Sequence, residues 1–292
     1  MGVFSIVISM SAALAAFFLA NIPIYYAITG TFPVELDDND PAFKYIFNSI
    51  YPEDNLLSTY CQMWTSVFAA VSLPALMKAP RVWRVGPCLV MVVKLIYVHT
   101  VLEGQYVLEA TGHTISTFVV VAHGFLAAVY IGILFLPDRP REPVARTTVG
   151  VIAYVLLYFN LISTVILMGY ALVYNELPVD TDSHPADQWI ISQLITDNPL
   201  QVKTLLTAFL AGPFVLLALP HVSRALRVVP VLVFVYGTMV VNTYFENKFV
   251  LEATGYPIQN QGVFGHVLVA VTTLLILFMP EAGAVSEQKK GN

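Results

Sequence analysis

Apolar residues in this chain come in long unbroken runs, not in the alternating or 3.6-residue patterns of a water-soluble fold. Eight runs are each near the length of about 20 residues that a membrane-crossing helix needs. They cover 3–31, 56–77, 85–108, 114–136, 147–174, 200–219, 228–250 and 260–279. Two long polar loops interrupt them. "FPVELDDNDPAFKYIFNSIYPEDN" follows the first run, and "LPVDTDSHPADQWIISQLITDN" follows the fifth. The remaining connections are short. The pattern predicts an all-α polytopic membrane protein with eight transmembrane helices.

The hexapeptide "VLEATG" occurs at 107–112 and again at 250–255, a shift of 143 residues. A self-alignment at that shift runs without gaps from Asp54 to Pro137 and pairs roughly a third of positions identically, the mark of an internal repeat. Asp54-Asn55 meets Asp197-Asn198. Arg81 and Arg84 meet Arg224 and Arg227, Pro87 meets Pro230, Glu103 meets Glu246, and His123 meets His266. The chain therefore reads as two four-helix units, 1–143 and 144–284, with a polar C-terminal tail at 285–292. Four spans is an even number, so both copies enter the membrane in the same sense, as a parallel repeat about an axis along the membrane normal.

Composition changes the picture little. Hydrophobic residues make up 57% of the chain, charged residues 11%, and the mean hydropathy is +0.73. A soluble domain carries about 25% charged residues. The net charge of −5 does not suggest a nucleic-acid partner. Cys61 and Cys88 lie in apolar runs and form neither a disulfide framework nor a metal knuckle. "MGVFSIVISMSAALAAFFLA" lacks the basic flank of a cleaved signal peptide and reads as the first span. There is no glycosylation sequon and no myristoylation signal.

The charges set the orientation. With a cytoplasmic N-terminus, 10 of the 14 Lys and Arg face the cytoplasm: Lys78, Arg81, Arg84, Arg139, Arg141, Arg146, Arg224, Arg227, Lys289 and Lys290. Both acidic loops face the other side, as the positive-inside rule prefers.

The chemistry lies in ionisable residues inside the spans, where a charge costs a few kcal/mol and is buried against a partner. The third span holds Lys94, His99 and Glu103. His99 and Glu103 are four apart and share one helix face. Counting 1.5 Å per residue from the outer boundary puts His99 and His123, on the next helix, at similar mid-membrane depth. His99, Glu103 and His123 are thus expected to line one polar pocket, and Asn242, Glu246 and His266 a second. Three readings remain open: a cradle for the polar end of an apolar ligand, acid–base chemistry with Glu103 and His99, or hydrogen bonds that only hold helices together. A metal site is not expected, because Asn242 replaces a histidine in the second set. Lys94 is expected to snorkel toward the cytoplasmic face. "GYPIQNQGVFGH" opens the eighth span with a polar run that could be a rim or a protein contact.

"LANIPIYYAITGTFPVEL", the loop ending "EDNLL" and "SLPALMKAPRVWRVGPCLVMVVKLIYVHT" resemble the EXPERA-domain family, which includes the sigma-2 receptor, emopamil-binding protein and the transmembrane 6 superfamily. The closest matches are Ile22-Pro23-Ile24, Leu73-Pro74 and Tyr97-Val98-His99-Thr100. The resemblance covers spans one to four directly and five to eight through the repeat, a tandem similar to the transmembrane 6 branch. It implies an endoplasmic reticulum protein with a cavity for sterols or cationic amphiphiles, and a mitochondrial inner membrane is the alternative. By the same resemblance Asp54, with Asp197 as its repeat partner, matches an acidic pocket residue. Thr29, and Phe68 with Ala69, stand where the family has other acids, which weakens amine binding. His99-x-x-x-Glu103 resembles the isomerase pair of the family, but on a different helix, so catalysis is not carried over. Tyr236-Gly237 and Glu246 are similar to the isomerase's corresponding helix.

The expected function is sterol or lipid binding, transfer or homeostasis without catalysis and without a cofactor. Its partners are then the lipid, the membrane and a second copy or other proteins of a membrane complex. The alternatives are a structural accessory subunit of a larger membrane complex and a sterol double-bond isomerase.

Overall fold

The computed structural model describes residues 2–31, 40–138, 147–177 and 184–280. The junction between the proposed units, the tail at 285–292, and Arg139, Arg141, Arg146, Lys289 and Lys290 lie outside the described residues. Among the described residues every regular element is helical. In chain order these are α1 (Val3–Thr29), α2 (Pro41–Ile50), α3 (Leu56–Lys78), α4 (Arg81–Thr111) and α5 (Thr117–Leu134). The order then recurs as α6 (Thr148–Tyr174), α7 (Pro185–Leu194), α8 (Pro199–His221), α9 (Arg224–Thr254) and α10 (Asn260–Phe278).

Among the described residues seven helices are long and apolar enough to cross a membrane, which makes this an integral membrane protein. The expected eighth, α3, is long enough at 23 residues but is not in that set. The reason is its polar load. Ser58, Thr59, Gln62 and Ser72 are all buried, because α3 packs on α1, α8 and α9 and those side chains meet protein, not lipid.

Each helix end has a local cause. Asn55 caps α3 by accepting from the Ser58 N–H, and Asn198 caps α8 by accepting from the Leu200 and Gln201 N–H groups. "VLEATG" ends both α4 and α9. Its glycines, Gly112 and Gly255, sit at φ +72° and +75°, the left-handed conformation that favours glycine after a helix. The Thr111 and Thr254 hydroxyls each donate back to the valine carbonyl four residues earlier, at 2.8 Å. Val107 and Val250 are fully buried, the first against Ala42 and Ile46 of α2, the second against Ala186 of α7. The repeated hexamer is thus a helix stop combined with a dock for the short helix in each polar loop.

Midway along α4 and α9 the ladder widens to π-helix, over Lys94–Leu102 and Gly237–Phe245. In both, a threonine hydroxyl bonds the carbonyl five residues back: Thr100 to Leu95 at 3.0 Å, and Thr243 to Thr238 at 3.1 Å. Such bulges re-aim the side chains that follow them and recur at functional sites.

The long helices close into a ring in the order α1, α3, α9, α10, α6, α8, α4, α5 and back to α1, with α3 and α8 also crossing at its centre. The ring does not keep the two halves apart. α3 packs against α9 of the other half, and α8 packs against α4. One hydrophobic core therefore runs through both, from Ile8 and Leu73 to Val231 and Ile276. The two proposed four-helix units therefore share one core across their boundary. Lipid-facing α1 and α6 stay mostly exposed, while central α8 is mostly buried.

Two buried arginines pin the helix ends together. Arg84 donates to the carbonyls of Ile133 at 2.8 Å and Leu136 at 3.1 Å, at the end of α5. Arg227 donates to Ile276, Met279, Val222 and Pro220 at 2.8–3.1 Å, gathering the end of α10 and the turn before α9. Such carbonyls at helix C-termini have no intrahelical donor, and a cation suits them.

Candidate functional site

The cross-packing of α8 on α4 creates a cavity of about 200 Å³ inside the first half. Its walls come from α1, the end of α2, α3, α4, α5 and α8, so α8 of the second half completes a site that the first repeat does not enclose alone. Most of the wall is apolar, including Leu76, Met91, Leu126 and Val215. One side is polar: Gln62, Lys94, His99, His123 and Thr204.

The first expected trio does converge. His99 Nδ1 lies 3.1 Å from Glu103 Oε2, and the His99 and His123 rings are 5.1 Å apart between centroids. Glu103 is fully buried and stands behind His99, outside the cavity lining. Its Oε1 and the Nδ1 of His123 have no hydrogen-bond partner among the described residues. Ligand atoms of His99, Glu103 and His123 all lie within 4.8 Å of one another, so these three are the residues that could hold a metal ion. Two imidazoles and a carboxylate form a zinc-like donor set. The amine of Lys94 lines the same cavity and opposes a cation there.

The second trio is looser. Glu246 Oε2 and His266 Nε2 are 4.0 Å apart, and His266 Nδ1 lies 3.4 Å from the Thr243 hydroxyl. Asn242 turns to α3 instead, where its Oδ1 lies 3.6 Å from Cys61 Sγ. Trp64 enters this side of the ring. Its indole N–H donates to the Val233 carbonyl at 3.1 Å, and a Cβ on Gly237 would fall 1.9 Å from the indole nitrogen. Position 237 must be glycine for the ring to fit.

Asp54 and Asp197 join neither trio. They face a polar cleft of about 910 Å³ between the halves, beyond the capping ends of α3 and α8. There Asn55 Nδ2 donates to the Gln193 carbonyl and Asn198 Nδ2 to the Ser49 hydroxyl, both at 2.9 Å. The eight expected site residues thus fall into three separate places.

Lys94 is a correction. It does not snorkel to the cytoplasmic face but turns inward, and its Nζ donates to the Thr204 carbonyl at 2.9 Å. The widened ladder begins at this residue, and α8 supplies the acceptor. Gln62 and Thr204 were not anticipated either. Gln62 Nε2 and Thr204 Oγ1 are buried with no partner among the described residues. A polar glutamine amid the apolar letters of α3 was the available signal.

Comparison with family models, with curated proteins and with solved structures gives no match.

Proposed function

We propose that this chain is a membrane-embedded lipid-binding protein without catalytic activity, whose cavity beside Lys94 holds the polar end of an amphiphile. In this reading the chain is a tandem of two EXPERA-like four-helix units in the endoplasmic reticulum membrane, and α3 is an eighth span sheltered by its neighbours. The observation that carries the proposal is the unpaired state of Gln62 Nε2, His123 Nδ1 and Thr204 Oγ1 at the polar side of an otherwise apolar cavity. A buried polar group without a partner costs about 1–3 kcal/mol, which a bound polar group offsets. The volume favours one end of a flexible lipid over a whole sterol nucleus, because sites that enclose a drug-sized ligand run to about 300–1,000 Å³.

The isomerase alternative is weakened by the burial of Glu103 behind His99, where its carboxyl does not line the cavity. The accessory-subunit alternative calls for pockets filled by the chain's own side chains. Trp64 does this beside Gly237, but no side chain among the described residues does it beside Lys94.

The test is photolabelling of the purified full chain with a diazirine-bearing C12 alcohol, mapped by peptide. Label is expected on cavity-facing Met91, Leu126 and Ala211. Ala211→Phe should abolish it, since Ala211 lines the cavity and a benzyl side chain there takes up its volume. Labelling confined to the lipid-facing surfaces of α1 and α6, or unchanged by Ala211→Phe, refutes the proposal.

A further inference from the structure

The two sides of the α3–α8 crossing are equivalent by the shift of 143 residues but are filled oppositely. Facing α9, Trp64 and Phe68 pack on Phe234 of α9 and Phe209 packs on Trp64, while Phe68 also reaches the wall of the Lys94 cavity. Ring centroids are 5.3 Å apart for Trp64–Phe234, 5.0 Å for Phe68–Phe234 and 6.4 Å for Trp64–Phe209. At the counterpart positions on the other side stand Thr207, Ala211, Ser66 and Met91. Every aromatic is replaced by a smaller or more flexible residue. The counterpart of Gly237, against which the indole rests, is Lys94. One side of the ring is therefore plugged, and the other is open and carries an amine.

We propose that the chain holds one amphiphile, not two, and that it selects a carboxylate head group through Lys94. This rests on the lipid-binding reading above and adds the class of ligand and the stoichiometry. Three features point to an anion with acceptor oxygens. Lys94 brings three N–H donors, and the Thr204 carbonyl takes one. The unpaired Gln62 Nε2 is a further donor, 2% exposed and at the cavity wall. Glu103 is already paired with His99 and does not line the cavity, so among the described residues the Lys94 amine meets no carboxylate there. A carboxylate accepts several hydrogen bonds at once, and bonds between charged partners are about twice as strong as neutral ones. An ammonium head offers Lys94 and Gln62 no acceptor, and an alcohol offers them one oxygen where a carboxylate offers two. The cavity holds the head group and the first carbons of the chain, and the rest of the tail lies outside it.

The experiment is competition against the same photolabel, using the full chain in maltoside detergent. Three probes share one C12 chain: dodecanoate, dodecanol and dodecylamine. Dodecanoate should compete about tenfold or more better than dodecanol, and dodecylamine worst. Intact mass should give one protected label per chain. Lys94→Met should bring dodecanoate down to the level of dodecanol measured in the same variant, and Lys94→Arg should restore the preference. Equal competition by dodecanoate and dodecanol in the unmodified chain overturns the carboxylate inference and leaves lipid binding standing, so a poorly folding Lys94→Met does not remove the test. A preference that survives Lys94→Met also overturns it, and two protected labels per chain overturn the single site. If none of the three probes competes, lipid binding itself fails.

Discussion

Arg227 is the residue whose loss this architecture should feel most. It is fully buried, and its guanidinium donates to carbonyls of Val222 at 2.8 Å, Pro220 at 2.9 Å, Met279 at 2.9 Å and Ile276 at 3.1 Å. Methionine in its place fills similar volume but leaves those carbonyls without that donor in a protein interior. Each orphaned carbonyl costs about 1–3 kcal/mol, and partial relaxation brings the whole to about 3–5 kcal/mol, the usual cost of removing one member of a buried charged network. Arg84 makes only two bonds below 3.2 Å, to Ile133 and Leu136, so Arg84→Met should cost about half as much. Lysine at 227 should rescue little, since one ammonium cannot span carbonyls arranged around a planar fork. The chain carries its own reporter. Cys61 and Cys88 are both free and buried, at 2% and 0% exposure, so a fluorogenic thiol-reactive dye reports unfolding in detergent. Arg227→Met should lower the midpoint by on the order of 10 °C. A shift no larger than that of Arg84→Met would refute the idea that the carbonyl count sets the energy.

The same dye assay covers two other sites. Gly237→Ala drives a methyl into the Trp64 indole and should cost about 1–3 kcal/mol by overpacking, and Trp64→Phe should relieve part of that in the double variant. No destabilisation in Gly237→Ala would mean that the indole is elsewhere. Asn198→Ala removes both the α8 cap and the bridge to Ser49, and should cost about 1–2 kcal/mol. A null effect there would deny the link between the polar loops.

Much of this was legible in the letters. The apolar runs mark the membrane helices because length and hydropathy are local properties. The trio of His99, Glu103 and His123 was legible because helical spacing and equal depth are enough to bring them together. The partners of α3 and α8 were not legible. A helix against lipid and a helix against a second helix are both apolar, so hydropathy does not say which face meets what. The direction of Lys94 followed from that gap. Its flexible stem reaches either toward the headgroups or into the bundle, and the deciding atom, the Thr204 carbonyl, lies on a helix 110 residues away. Asp54 and Asp197 were grouped with the membrane pockets through resemblance, whereas the caps beside them keep them at the polar end.

The repeat itself separates structure from function within one sequence. Several positions identical in both copies build the fold: Arg84 and Arg227 at the helix ends, Pro87 and Pro230, and Gly112 and Gly255 in the two helix stops, while Glu103 with Glu246 and His123 with His266 keep polar groups in both halves. At the α3–α8 crossing several pairs differ in size or charge: Cys61 against Thr204, Trp64 against Thr207, Phe68 against Ala211, Lys94 against Gly237, and His99 against Asn242. These differences leave a cavity on one side of the crossing and an indole on the other, which fits the proposed division of labour in which one copy holds the ligand and the other closes the core. Because α8 walls the cavity of the first half, neither copy could be removed without losing the site.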